Sequence, residues 1–350
     1  MGGIKMVLMN WELIGHEWAV NLLGRHIAND NVRQAYLITG PDGVGKRTLA
    51  MRFAQALNCS DSAKPGEICG QCRSCQFIQR KQFPDLHIVE AEDVGGILKI
   101  DQIRELQHQL ALSPYEGKRR VALLLRFHEA NANAANALLK TLEEPASKVV
   151  MLLTAQSKET LLPTISSRCE ILPLRDVSRD QIEEALIERG EGHEQAALLA
   201  RLAAGRPGWA FHYASNPDLL NERTENLEDL LNILQTGRLE RFKFVERLTR
   251  DWERERKRGG EHPRLRAIGA LEHWVSLWRD AMMLAYDAMA EQRNVDRAQD
   301  IQMLVSALPA RQISENLGRI ERLKRDLQKN ANVRLAIENL MLDLPRIPGG

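Results

Sequence analysis

The stretch GPDGVGKRT, residues 40–48, constrains the fold of this chain more than any other feature. It follows a short apolar run at 35–39 and precedes helical spacing of apolar residues at 46–58. A glycine-rich turn between a strand and a helix is typical of a phosphate-binding loop: glycines let backbone N–H groups surround a phosphate, and a lysine such as Lys46 adds a positive charge. The stretch therefore predicts an α/β domain with a candidate nucleotide site.

One position departs from the phosphate-loop pattern. The pattern G-x-x-x-x-G-K-[ST] requires a hydroxyl directly after the lysine to hold Mg²⁺, but Arg47 stands there and Thr48 comes one residue late. We therefore predict a degenerate site, which either binds nucleotide weakly or has lost binding. Its candidate residues are Gly40, Gly43, Gly45, Lys46, Arg47 and Thr48.

A second departure occurs where an acidic pair is expected. Enzymes that hydrolyse ATP place carboxylates at the end of another strand, where they position Mg²⁺ and the attacking water. The candidate strand ends in Leu125-Arg126 instead, followed by His128 and Glu129. These last two could substitute for the missing acids, although solvated residues that open the next segment are the simpler interpretation. ATP hydrolysis needs both the hydroxyl after the lysine and the acidic pair, and both are missing here. We therefore predict that the chain does not hydrolyse ATP by itself.

The remaining apolar pattern predicts one α/β domain followed by helices. Short apolar runs alternate with helical stretches such as 103–112 and 134–142, which indicates a parallel sheet covered on both faces. These runs lie at 86–89, 120–125, 149–154 and 170–174. From Ser178 onward the pattern is helical only, with breaks at 205–208, at 258–260 and near Pro309. A chain of 350 residues, 44% of them hydrophobic, is long enough for two or three such domains.

Four of the five cysteines form a cluster in the sequence. Cys59, Cys69, Cys72 and Cys75 follow the spacing C-x9-C-x2-C-x2-C. Four thiolates at such spacing suit a closed, structural zinc site, which would pin a module at about 59–78 onto the preceding helix. The alternative is a reduced thiol cluster without metal.

The net charge and the apolar content of the N-terminal segment restrict how the chain could bind nucleic acid and where in the cell we expect it. A net charge of +1 argues against gripping nucleic acid by an overall positive field, so any such contact has to be local or shared with a partner. Residues 1–18 contain too few apolar residues for an export signal or a membrane span. We therefore expect a cytoplasmic protein without a membrane partner.

Residues 136–171, NALLKTLEEPASKVVMLLTAQSKETLLPTISSRCEI, resemble the clamp-loader ATPases of the bacterial replicase, in which the triplet Ser167-Arg168-Cys169 is typical. The cysteine spacing fits the same family, whose members carry a four-cysteine zinc module after the phosphate-loop helix. Further similar segments at 11–19, 114–117 and 330–345 extend the resemblance over nearly the whole chain.

The resemblance implies an architecture of three domains. These are an AAA+ α/β domain at 1–174 with the inserted zinc module, a small helical lid at 175–214, and an all-helical collar at 215–350 that joins subunits into a pentamer. In the collar segment, the regular spacing of apolar residues on two helices favours an internal core, with some residues facing neighbouring subunits. These residues are Leu227, Leu230, Leu231 and Leu234 on one helix, and Trp274, Trp278, Met282 and Tyr286 on the other.

Within the resembling family, the departures favour a non-motor subunit. The motor subunits, gamma and tau, keep Lys-Thr in the loop, Asp-Glu on the strand and a nucleotide-sensing arginine in the lid, where this chain has Gly208. The resemblance thus implies a stator that binds ATP weakly or not at all and works with gamma/tau and delta subunits to load the sliding clamp onto primed DNA.

The resemblance also places Arg168 at the subunit edge, facing the neighbour's nucleotide, where it would act in trans. The alternative for this residue is a salt bridge within its own domain, for example to Glu170 or Asp176. Two alternatives for the whole chain remain open: an active gamma/tau-like motor that uses Thr48, or an unrelated zinc-containing module that binds nucleic acid.

Overall fold

A computed structural model describes residues 11–91, 96–287, 289–328 and 331–347. Residues 1–10 of the N-terminal segment and Asn330, which opens the last of the similar segments, lie outside this range. The chain divides into two compact units, one of residues up to Ala196 together with Ala203–Phe211, the other of Ala197–Leu202 together with the residues from His212 onward. The three-domain division remains a prediction.

The first unit contains a five-stranded parallel sheet in the order β2-β3-β4-β1-β5. The strands are β1 (Ala35–Thr39), β2 (Leu86–Val89), β3 (Arg120–Leu124), β4 (Val149–Ala155) and β5 (Glu170–Pro173). The helices before and between them are α1 (Glu17–Ala28), α2 (Lys46–Asn58), α3 (Arg73–Gln79), α4 (Ile100–Leu110), α5 (Ala132–Glu143) and α6 (Pro163–Ser166). All five predicted apolar runs are strands, and the helix predicted at 46–58 has the same bounds in the structure.

Both faces of the sheet are buried, as the alternation of strands and helices predicts. Along β1, Tyr36 and Ile38 pack with α1 and α2 on one face. Ala35 and Leu37 pack with α4 and α5 on the other face. A strand buried on both faces reads as a continuous apolar run because successive side chains point to opposite sides. The sheet is thus parallel and covered by helices on both faces, with the phosphate loop after β1, as the sequence predicts.

A buried ion pair explains the segment at 114–117. The Asp85 carboxylate accepts backbone N–H bonds from Tyr115, Glu116 and Gly117 at 2.7–2.9 Å, and its Oδ1 accepts from Arg120 Nη2 at 3.1 Å. Asp85 is fully buried and has no contact with water. These donors therefore supply the hydrogen bonds that water would otherwise give to its carboxylate. The turn before β3 is therefore fixed to the residue that precedes β2.

The remaining helices are α7 (Arg179–Glu188), α8 (His193–Ala203), α9 (Pro207–Ser215), α10 (Asp218–Gln235), α11 (Arg238–Lys257), α12 (Pro263–Tyr286), α13 (Ala298–Ala307), α14 (Ala310–Gln328) and α15 (Val333–Asp343). The breaks predicted at 258–260 and Pro309 fall between helices, whereas the break predicted at 205–208 extends into the first two residues of α9. Short 3-10 helices occur at Phe127–Glu129, Lys158–Thr160 and Val295–Arg297. Within the described residues, none of the helices combines the length and apolar character needed to cross a membrane.

The helices from α10 onward share one apolar core. The predicted stripe on α10 is buried at Leu227, Leu230 and Leu234. The stripe on α12 is buried at Trp274 and Trp278, but Tyr286 at its end is 69% exposed. The C-terminal segment is held by Arg241, which donates to four carbonyl oxygens, those of Ile233, Met341, Leu344 and Pro345, at 2.7–3.0 Å.

Candidate functional site

The phosphate loop joins β1 to α2 with three glycines in the left-handed region of backbone space. Gly40, Gly43 and Gly45 have φ values of 145°, 83° and 113°. A Cβ on Gly40 would lie 2.5 Å from the Leu174 carbonyl oxygen, so a side chain is excluded there on steric grounds as well. Gly45 directly precedes Lys46, the first residue of α2. The loop thus has the conformation that the glycine spacing predicts.

Lys46 is turned back onto its own loop. Its Nζ donates to the Gly40 carbonyl, to the Pro41 carbonyl at 3.0 Å and to Asp42 Oδ1 at 3.0 Å. The side chain is only 8% exposed. The ammonium that would meet a phosphate is therefore already surrounded by three oxygen acceptors, one of them charged.

Asp42 completes this arrangement from the other side. Its Oδ2 accepts a hydrogen bond from Gln156 Nε2, at the end of β4, at 3.2 Å. The loop partly desolvates the carboxyl, but the Lys46 charge and the hydrogen bonds from Lys46 and Gln156 outweigh that effect and lower the pKa of Asp42. A carboxylate of this chain thus occupies the neighbourhood in which a phosphate-binding loop holds its anion.

The start of α9 contacts the loop directly. The Gly208 N–H donates to the Gly43 carbonyl oxygen at 2.8 Å. A Cβ added to Gly208 would lie 2.8 Å from the same oxygen, so residue 208 approaches this close only as glycine. Arg206 nearby donates from Nε to the Ala203 carbonyl at 3.0 Å. The resemblance implies that the motor subunits have a nucleotide-sensing arginine at this position. In this chain Gly208 stands there and contacts the loop through its backbone.

The edge of the sheet beside the loop carries a network of alternating charges in place of an acidic pair. Leu125 is buried, and Arg126 follows it in the left-handed region with φ 47°. Arg126 Nε donates to both Glu129 carboxylate oxygens, at 3.0 and 3.1 Å, and its Nη1 donates to Glu90 Oε2 at 3.2 Å. The same Glu90 oxygen lies 3.8 Å from Arg47 Nη1. Two arginines and two glutamates are therefore paired where metal ligands are expected.

The two residues considered as substitutes for the missing acids are not arranged for that role. Glu129 is committed to Arg126, as described. His128 Nδ1 is buried without a hydrogen-bond partner among the described residues. Burial lowers the pKa of His128, so the ring is neutral near pH 7. Thr48 is exposed on the first turn of α2.

The four clustered cysteines meet in space. Their Sγ atoms all lie within 4.8 Å of one another, with 4.0 Å between Cys59 and Cys72 and between Cys69 and Cys75. A Zn–S distance of about 2.3 Å in a regular tetrahedron puts the sulfurs about 3.8 Å apart. The cysteines are free rather than disulfide-bonded. The cluster therefore has the size and ligand chemistry of a closed four-sulfur metal site, and zinc is one metal that it could hold.

Hydrogen bonds and burial act in opposite directions on the thiols of the cluster. Backbone N–H groups of Cys69, Cys72 and Cys75 donate to cysteine sulfurs at 3.2–3.5 Å. Burial raises the pKa of the Cys59 and Cys75 thiols, so these two need a nearby cation to lose their protons near pH 7. At Cys72 burial acts in the same direction, but hydrogen bonds from Ser60 and Cys75 outweigh it and lower the pKa to about 6.

The module around the cluster is tied to α2 and to the N-terminal segment. Gln55 Nε2 on α2 donates to the Cys75 carbonyl at 2.8 Å. Trp11 Nε1 donates to the Gly66 carbonyl at 3.0 Å. The cysteine loop is thus part of the same packed unit as the phosphate-loop helix, as the sequence predicts.

Arg168 follows α6 and lies far along the sequence from the phosphate loop of its own chain. Its Nη2 donates to Glu143 Oε1 at 2.7 Å and its Nη1 donates to the Thr164 carbonyl at 2.8 Å. The side chain is 36% exposed. A salt bridge within the domain is therefore present, but the partner is Glu143 and not Glu170 or Asp176; these two partners were wrong, because the loop after α6 faces the end of α5.

Three residues that contact the loop region were not predicted from the sequence. His16 Nε2 lies 3.0 Å from the Val44 carbonyl oxygen and supports the loop from α1's N-terminal side. Gln156 and Glu90 reach the loop region from the ends of β4 and β2. The ends of parallel strands meet at one edge of a sheet, so polar residues directly after each strand were the available clue.

Two family models match this chain. The model described as DNA polymerase III, delta subunit, matches residues 15–178, which include the phosphate loop, the cysteine cluster and Arg168. The model described as DNA polymerase III, delta subunit, C terminal, matches residues 266–345. The two ranges together cover more than two thirds of the chain.

Individual relatives agree with these matches. DNA polymerase III subunit delta' of Pseudomonas aeruginosa is 43% identical over 177 residues, which are 49% of this chain and about half, 53%, of that protein. Subunit delta' of Bacillus subtilis is 27% identical over 325 residues, 93% of this chain and 94% of that protein. Subunit tau of Escherichia coli is 35% identical over 202 residues, 55% of this chain and 30% of that protein.

Among solved structures, a gamma subunit-related protein of DNA polymerase III from Thermotoga maritima is similar at 19% identity and a TM-score of 0.46, over 93% of this chain and 97% of that one. The two family matches and the delta' relatives carry the assignment. The chain belongs to the DNA polymerase III delta subunit family, and within it is similar to the delta-prime subunits.

Proposed function

We propose that this chain is the stator subunit of a bacterial replicative clamp loader. It helps to load the sliding clamp onto primed DNA, and it donates Arg168 in trans to the ATP site of a neighbouring motor subunit. The observation that carries the proposal is the internal pairing of its own loop: Lys46 is bound by three oxygens of the loop, and the acidic pair is replaced by Leu125-Arg126.

Autonomous ATP hydrolysis is disfavoured by this pairing. Phosphoryl transfer depends on Mg²⁺ and on charges that stabilise the transferred group. Binding of a phosphate by Lys46 would require it to leave Asp42, and binding of Mg²⁺ would require Glu90 or Glu129 to leave an arginine. We infer that the residues Gly40, Gly43, Gly45, Lys46, Arg47 and Thr48 bind nucleotide weakly or not at all.

The exposure of Arg168 supports a role toward a neighbour. A guanidinium has five N–H donors, and the contacts with Glu143 and Thr164 use two of them. The rest suit a phosphate, which arginine recognises in a fork-like geometry. An arginine supplied in trans accelerates phosphoryl transfer by about three to five orders of magnitude in GTPases.

The likeness to clamp-loader subunits supports a proposal for the assembly. We propose a cytoplasmic pentamer with gamma/tau and delta subunits, in which residues 215–350 form the collar and residues 175–214 form the lid. The matches to tau and delta' relatives support partners of this kind. We further propose that Cys59, Cys69, Cys72 and Cys75 hold one structural zinc ion, which the fit of the sulfur distances supports.

Reconstitution tests the proposal. The purified chain is assayed for ATP hydrolysis with and without primed DNA, and then mixed with motor and delta subunits. We expect no hydrolysis by the chain alone, and DNA-stimulated hydrolysis and clamp loading by the mixture only when the chain is present. With Arg168→Ala in the mixture we expect normal assembly and a drop of severalfold or more in both activities.

The second candidate is an active gamma/tau-like motor. The 35% identity to tau and the retained Lys46 favour it. It predicts DNA-stimulated ATP hydrolysis by the isolated chain that is lost in Lys46→Ala. That result would replace the stator proposal.

A further inference from the structure

Glu143 is the last residue of α5 and contacts Arg168 through its carboxylate. The guanidinium donates through Nη2 to Glu143 and through Nη1 to the Thr164 carbonyl on α6, at 2.7 and 2.8 Å. Both side chains are partly exposed, at 36% for Arg168 and 51% for Glu143. Two acceptors on two different elements therefore hold one charged group at the surface.

We propose that Glu143 is the positioning residue for Arg168, holding the guanidinium plane in the orientation from which it meets the neighbour's nucleotide. This inference rests on the proposed function, because the orientation matters only if Arg168 acts in trans. A free arginine side chain samples many rotamers, and anchoring it beforehand removes part of the entropy that is otherwise lost when it meets a phosphate.

The place of Glu143 on its helix supports a role beyond local stability. The C-terminal end of a helix carries a partial negative charge and disfavours carboxylates. Glu143 ends α5 and Glu144 follows directly, so two carboxylates stand where a lysine or glutamine would stabilise the helix better. An exposed ion pair also adds little to stability. Helix stability therefore does not account for Glu143, whereas the geometry of the contact with Arg168 does.

The contact leaves the arginine able to act. Nη1 and Nη2 each carry two N–H groups, and the observed bonds use one on each nitrogen. The hydrogen bonds to the carboxylate and the carbonyl fix the positions of Nη2 and Nη1, and therefore the orientation of the guanidinium plane. The remaining N–H groups lie in this plane, so their directions are fixed as well. A misplacement of about 1 Å in a positioned group can cost about a hundredfold in rate.

Steady-state ATP hydrolysis by the complete, DNA-stimulated complex tests this role with four variants of the chain: Glu143→Gln, Arg168→Ala, the double variant, and Glu144→Gln as the matched control. Glu144 is exposed, adjacent, and loses the same charge. We expect Glu143→Gln to lower kcat about fivefold with an unchanged KM for ATP, in keeping with loss of positioning rather than of binding. Glu144→Gln should stay within about twofold of the unmodified complex.

The double variant separates positioning from an independent effect. If Glu143 acts through Arg168, adding Glu143→Gln to Arg168→Ala lowers the rate no further. A further drop, or a kcat for Glu143→Gln equal to or above that of the unmodified complex, overturns the positioning role. An unchanged rate for Arg168→Ala overturns instead the proposed function on which it rests. Equal melting temperatures and equal assembly of Glu143→Gln and Glu144→Gln show that folding is not the cause.

Discussion

The N–H of Gly208 donates a hydrogen bond to the carbonyl oxygen of Gly43, 2.8 Å away, so the first turn of α9 rests on the phosphate loop backbone to backbone. The contact joins residues that are far apart in the sequence and leaves no space for a side chain at 208. The loop conformation is thus supported by this chain's own groups, namely Gly208, Asp42, Gln156 and His16.

Replacing Gly208 by alanine tests this contact. Alanine usually stabilises a helix relative to glycine, but here the added Cβ would lie 2.8 Å from the Gly43 oxygen, a backbone atom that moves only with the loop. We expect a net destabilisation of about 1–3 kcal/mol, measured by denaturant unfolding. Gly192→Ala is the control, since a Cβ there meets no described atom within 4 Å. Equal stabilities of the two variants would contradict the prediction.

Nucleotide should add little thermal stability. A ligand that binds only the native state stabilises it by RT ln(1 + [L]/Kd), about 2.7 kcal/mol at one hundred times Kd. We expect much less with millimolar Mg-ATP, because Lys46 is bound by Asp42 and Arg126 replaces a metal ligand. Differential scanning fluorimetry measures the shift. A large, magnesium-dependent rise that disappears in Lys46→Ala would favour the motor.

Purified protein should contain about one zinc ion per chain. Four sulfurs at tetrahedral spacing bind zinc as thiolates, so Cys72→Ser should lose the metal and destabilise the module, without unfolding the helices from α10 onward. Metal analysis by atomic emission measures the content. Cys169→Ser, which removes the thiol outside the cluster, should keep the metal. Well under one zinc ion in the unmodified protein would rule the site out.

The unit from His212 onward should lose stability as the pH falls from about 6.5 toward 4. Burial, with the Arg223 charge, lowers the pKa of His273 from 6.5 to about 4. Its ring forms hydrogen bonds through Nε2 with the Tyr213 hydroxyl at 2.9 Å and through Nδ1 with Asn226 Nδ2 at 3.2 Å. Because the Asn226 amide donates to Nδ1, this arrangement suits the neutral ring with its proton on Nε2. The unfolded chain binds the proton first as the pH falls, so the free energy of unfolding decreases across this window.

Unfolding of the unmodified protein and of His273→Gln at pH 7 and pH 5 checks this. Glutamine does not titrate, so the variant should lose less stability between the two pH values than the unmodified protein does, whatever its stability at pH 7. Each unit of pKa difference corresponds to about 1.4 kcal/mol. Equal losses in both proteins would show that His273 is not the titrating group.

Much of the fold could be predicted because its signals are local. Glycines at 40, 43 and 45 set a turn between β1 and α2 through their own backbone freedom, and the helix bounds 46–58 follow from spacing. The four cysteines lie within seventeen residues, so the loop between them can bring their sulfurs together without help from distant elements. The sheet followed from alternating apolar runs, although the sequence did not indicate its strand order.

The sequence by itself determined a strand, loop and helix of phosphate-binding type, a four-cysteine site, and the absence of the hydroxyl and the acidic pair, because each is written in residues next to one another. Only the tertiary structure decided what the remaining charges contact. Asp42 meets Gln156 across 114 residues, Arg168 meets Glu143 across 25, and Gly208 meets Gly43. These pairs form because of the strand order β2-β3-β4-β1-β5 and the position at which each helix packs. The strand order and the helix packing are stabilised by the burial of many apolar side chains across the core, not by any one local segment.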